Sequence, residues 1–162
     1  MENPIIQSLE HNPLTKEIIK ESDHVGNLQP MEEALLLAAA FDVDQKSRII
    51  VKKNRYEAMQ LYSRLSLLVP ETVLLTMEES LRVQSLAASP ADRQELISGL
   101  AALQSDNPKL IIANTASFTR FLPKKEVFDQ NTFTLKVGEE ISIEDLKEKL
   151  IQAGYSRENY VD

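Results

Sequence analysis

Two short β-branched runs narrow the fold more than any other feature of this chain: "RIIV" at Arg48 to Val51 and "LIIA" at Leu110 to Ala113. Neither alternates apolar with polar residues, so neither fits a strand with one wet face; both fit strands of a parallel sheet covered by helices. Longer segments of helical period separate such runs. That rhythm, repeated about four times, predicts an α/β domain with a mostly parallel sheet flanked by helices. The strand candidates are Ser22 to Val25, Arg48 to Lys52, Thr72 to Thr76, Lys109 to Ala113 and Thr132 to Val137.

Helix starts are marked by small polar residues that accept bonds from free backbone N–H groups, with an acid three residues on to return the bond. Asn54 with Glu57, Ser89 with Asp92, and Ser142 with Asp145 fit that pattern, and Pro90 stands where a missing N–H costs nothing. Leu96, Leu100 and Leu103 share one helix face; Leu146, Leu150 and Ile151 share another, ended by Gly154. Tyr56, Met59, Tyr62, Leu65 and Leu68 read as core positions of the helix after "RIIV", as do Phe118, Phe121 and Leu122 after "KLIIAN". Pro4 to Lys20 reads as helical but is interrupted at Asn12-Pro13. The run "TFTLKV" does alternate, with Phe133, Leu135 and Val137 against Thr132, Thr134 and Lys136, which predicts a strand at an edge or at the start of a further subdomain.

A 162-residue chain with 43 % hydrophobic residues suits one domain with a sizeable core plus an appendage. There is no cysteine, so disulfides and thiolate metal sites are excluded. The start "MENPIIQSLEHN" lacks a basic region followed by an apolar core, and no run approaches the roughly 20 apolar residues of a membrane span, so a soluble cytoplasmic protein is expected. A net charge of -7 argues against gripping nucleic acid unaided, because that affinity comes largely from Lys and Arg displacing counterions. Lys46, Arg48, Lys52, Lys53 and Arg55 cluster around one strand, and Arg120, Lys124 and Lys125 follow another; without interleaved aromatics they read as a solvated rim.

The stretch "HVGNLQPMEEALLL" has the outline of a phosphate-binding loop: a β-prone segment, Gly26, then a helix. A working loop reads G-x-x-x-x-G-K-[ST], in which the second glycine admits the phosphates, the lysine neutralises them and the hydroxyl holds Mg²⁺. Laid on Gly26, that template puts Met31 at the second glycine, Glu32 at the lysine and Glu33 at the hydroxyl. Every chemically active position is lost. Two carboxylates at a helix start also occupy the place of an anion, and like charges about 4 Å apart repel by roughly 4 kcal/mol at an effective dielectric of 20. Nucleotide is not expected to bind.

No catalytic or metal-ligating set emerges. His11 and His24 have no spacing to each other or to carboxylates that makes a metal site, and the acid pairs Glu78-Glu79 and Glu139-Glu140 point apart on turns. Neither a G-x-S-x-G elbow nor a G-x-G-x-x-G fingerprint appears, which favours a binding or scaffold module over an enzyme.

In their order, "EALLLAAAF", "RIIVKKNRYEAMQLYSRL", "ASPADRQELISGLAAL", "KLIIANTASFTRFLPKKEVF", "TFTLKVGEEISIEDLKEKLIQAGY" and "SRENYVD" resemble the N-terminal region of the bacterial transcription-repair coupling factor (Mfd), itself similar to the first domains of the excinuclease component UvrB. The resemblance implies a helicase-like (P-loop NTPase-like) fold with a degenerate nucleotide site, part of a larger protein that removes stalled RNA polymerase from damaged DNA and recruits excision repair. It implies no cofactor for this part, ATP and Mg²⁺ belonging to a motor elsewhere in that family. The implied organisation is an N-terminal helical arm at 1–20, the helicase-like domain at 21–130, and at 131–162 the start of a domain that binds the excinuclease component UvrA. Arg157 matches a basic position in the family's "GY-x-R" stretch and is carried over as a partner contact.

The chain departs from the family in two places. The proline-glycine-glutamate-phenylalanine segment and the arginine-glycine-glycine turn that follow in relatives are not reached by Asp162, and "EESLRVQSLAASP" lacks the tryptophan and acid-rich pattern of many relatives. A non-catalytic scaffold is the expected role. The alternatives are a DNA-contacting domain like that of UvrB, which would need a working nucleotide site and an aromatic hairpin, and a stand-alone adaptor.

Overall fold

Both β-branched runs form strands, and they pair with each other. The computed structural model describes residues 3–21, 26, 28–78, 90–119, 122–138, 140–152 and 155. In it β1 (Arg48–Lys52) and β2 (Thr72–Leu75) flank β3 (Leu110–Asn114) in a three-stranded parallel sheet of order β1-β3-β2. Ile50 stands opposite Ile112, which stands opposite Leu74 in turn. The expected strand at Ser22 to Val25 lies outside the described residues.

The central strand is buried on both faces, as its lack of alternation requires, with Leu110 and Ile112 fully enclosed. β1 departs from that expectation. Ile50 faces the core, but Ile49 is 58 % and Val51 43 % exposed. The reason lies in the layering: α5 (Pro90–Ala102) packs on β2, the far side of the sheet, and leaves the outer face of β1 open. That approach depends on Gly99, where a Cβ atom would lie 2.6 Å from the Leu74 carbonyl oxygen.

The other face carries the main core. α3 (Pro30–Asp44) is buried at Ala34 and continuously from Leu36 to Phe41, so it has no polar stripe; its alanines let α1 (Pro4–Leu9), α2 (Pro13–Ile19) and α4 (Arg55–Leu65) approach it. Each Leu enclosed here contributes on the order of 2 kcal/mol. The break at Asn12-Pro13 falls as expected, and Asn3 and Asn12 cap the two short helices through bonds from Ile5 N–H and Leu14 N–H. Buried Thr15 donates to the Leu9 carbonyl at 2.8 Å and so ties α2 to the end of α1.

In α4 the cap appears as expected, Asn54 Oδ1 accepting from Glu57 N–H at 2.8 Å. Its expected core positions are met in part: Leu65 is buried and Tyr62 and Leu68 pack on the core, while Met59 is exposed and Tyr56 is 72 % exposed, and Ala58 and Leu61 turn inward beside Leu65. The i, i+3, i+7 spacing from Ala58 is one step round the helix from the stripe through Tyr56, and small Ala58 permits the closer contact with α3. Phe118 is likewise exposed, because α6 (Thr115–Phe118) is a single turn near the end of its unit; Leu122 is exposed as well, and Phe121 lies outside the described residues.

The chain divides into two units, Met1–Arg120 and Phe121–Asp162. The second contains α7 (Lys125–Gln130) and α8 (Ile143–Gln152). Here the expected strand at Thr132 to Val137 is not formed. A strand needs a neighbour to satisfy its backbone, and no described residue pairs with this segment, leaving Leu135 and Val137 exposed. α8 starts with Asp145 N–H donating to Ser142 Oγ at 3.4 Å, and its Leu146 and Leu150 are half-buried while Ile151 is exposed. Among the described residues no helix is long and apolar enough to cross a membrane.

Candidate functional site

In open α/β sheets ligands settle outside the carboxyl ends of the strands, so that edge is where chemistry would be sought. Here it is occupied by the chain's own polar groups, arranged in two ion-pair clusters and one amide clamp.

The first cluster joins the end of β1 to the start of α3. Lys52 Nζ lies 2.8 and 2.7 Å from the two carboxylate oxygens of Glu33, with both side chains about three-quarters shielded. One residue earlier, Glu32 turns back on its own helix, its Oε2 accepting from Gln29 N–H at 2.9 Å, the returning half of a capping box. Thus the two acids that fall at the lysine and hydroxyl positions when a phosphate-loop template is laid on Gly26 are both engaged, Glu33 by a cation and Glu32 by the backbone. Gly26 and Met31 are exposed.

The second cluster centres on Arg55, at the first position of α4. Its Nη1 donates to Glu78 at 2.9 Å and its Nη2 to Glu95 on α5 at 3.3 Å. Thr76 Oγ1 donates to the other oxygen of Glu95 at 2.7 Å. Glu78 is therefore an ion-pair partner and no half of an acid/base couple, and Glu79 lies outside the described residues.

The clamp is Asn114, fully buried at the end of β3. Its Oδ1 accepts from Met77 N–H at 3.1 Å and from Ser117 N–H at 3.2 Å, and its Nδ2 donates to the Met77 carbonyl at 2.8 Å. One side chain thereby locks the exit of β2 to the first turn of α6. Sequence reasoning passed over Asn114, although an asparagine closing an apolar strand three residues before Ser117 carries the spacing of a helix cap.

The basic cluster around β1 is corrected by these contacts. Lys46 and Lys53 are exposed, as a solvated rim requires, but Lys52 and Arg55 belong to the clusters above and Arg48 forms a two-pronged pair with Asp44, at 3.0 and 2.6 Å. Burial pushes the Asp44 carboxyl up. The hydrogen bonds from Arg48 and from Lys46 N–H, with the charges of both residues, outweigh it and hold Asp44 below the usual carboxylate range.

Among the described residues no three His, Asp or Glu side chains gather as a metal site. His11 is exposed; His24, Glu139 and Arg157 lie outside the described residues. The edge offers charge and hydrogen bonds, turned toward one another.

No family model matches the chain, and no solved structure matches it. Curated relatives do. The transcription-repair-coupling factor of Staphylococcus haemolyticus (strain JCSC1435) is 26 % identical over 139 residues, covering 85 % of this chain and 12 % of the relative. That of Staphylococcus epidermidis (strain ATCC 35984) is 25 % identical over 144 residues, with 88 % and 12 % covered. The Bacillus subtilis (strain 168) protein is 25 % identical over 139 residues, with 85 % and 12 % covered. The chain spans about an eighth of the length of the relatives it matches. A parallel α/β unit whose sheet edge is closed on itself is thus, over most of its length, similar to the N-terminal region of the transcription-repair-coupling factors.

Proposed function

We propose that this chain is a helicase-like (P-loop NTPase-like) domain whose nucleotide seat has been taken over by its own carboxylates, and that it acts as a non-catalytic scaffold of a transcription-repair coupling factor. One observation carries the reading: at the start of α3, Glu32 bonds Gln29 N–H and Glu33 pairs with Lys52. In a working loop that helix start presents N–H groups and a positive dipole to a phosphate. Here Lys52, the cation that β1 brings to the helix start, is already neutralised, and an incoming phosphate would meet two acids.

In this reading ATP and Mg²⁺ serve a motor elsewhere in the longer protein, and RNA polymerase and DNA are met only through that protein. Residues 131–162 open the adjoining domain toward UvrA, with Arg157 among its contacts. A role in gripping DNA directly fits less well, since Lys52, Arg48 and Arg55 all direct their charge to internal acids.

Titration with a fluorescent ATP analogue and Mg²⁺ tests the silent seat, with no saturable binding expected at millimolar nucleotide. Saturable binding, or ATP hydrolysis that depends on Glu32 or Glu33, overturns it. Direct binding of the chain to immobilised UvrA tests the scaffold role separately.

A further inference from the structure

We draw no further inference here: the strongest candidate, the open outer face of β1 where Ile49 and Val51 stand exposed in register with Ile111 and Ala113 of β3, is an unpartnered apolar face, and nothing in the structure shows what covers it.

Discussion

Replacing Asn114 by alanine tests whether the amide clamp holds the sheet edge closed. The substitution strands three backbone groups: Met77 N–H, the Met77 carbonyl and Ser117 N–H. A neutral hydrogen bond lost from a buried site costs about 1 kcal/mol per group, and Ser117 is buried while Met77 is half-buried, so water recovers part of the Met77 loss. The sum is about 2–3 kcal/mol, or a fall in Tm of roughly 5–10 °C for a chain of this size. Urea unfolding followed by far-UV circular dichroism measures it, with Asn114→Asp as companion. Aspartate keeps the acceptor but turns a second oxygen toward the Met77 carbonyl, so at neutral pH it should be no more stable than alanine. A cost below about 1 kcal/mol for Asn114→Ala, or an aspartate variant as stable as the parent, would refute the clamp.

Three further outcomes are expected. Gly99→Ala, which in an open helix stabilises by up to about 1 kcal/mol, should here lower the urea midpoint, because the added methyl meets the Leu74 backbone oxygen at 2.6 Å; a raised midpoint would show that α5 can move away from β2. The stabilisation from Asp44, whose folded pKa is depressed, is present above the ordinary carboxylate pKa of about 3.9 and is lost as pH falls through the lower folded value; the stability gap between the parent and Asp44→Asn should therefore hold at neutral pH and close in acid. A double-mutant cycle of Lys52→Met and Glu33→Gln should give a coupling on the order of 1 kcal/mol that shrinks with added salt, and a coupling near zero would mean the contact at 2.7 Å holds nothing in place.

What the sequence made legible was local. The non-alternating "IIV" and "LIIA" runs, the Asn54 cap and the break at Asn12-Pro13 depend on residues within a turn or two of each other, and all appear in the structure. The exposed outer face of β1 was illegible because a strand's composition does not say whether α5 reaches across to it. "TFTLKV" had the alternation of a strand but alternation cannot supply a pairing neighbour. At the sheet edge, Glu32 and Glu33 were recognisable as misfits for a phosphate, yet their partners differed in reach. Glu32 turns to Gln29, three residues away, a capping-box spacing; Glu33 meets Lys52 across 19 residues, and Asn114 meets Met77 across 37, separations at which only the folded chain reveals the contact.

The self-filled start of α3 bears on how this unit behaves as cellular conditions change. A fold that binds a nucleotide borrows stability from it, about 2.7 kcal/mol when the ligand stands at a hundred times its Kd, and loosens when the supply falls. With Glu33 held by Lys52 and Glu32 held by the backbone, α3 keeps its anionic partner covalently attached, at a concentration that never varies. Under the proposed reading its folding equilibrium is uncoupled from the ATP pool, and its melting temperature should not move with added nucleotide.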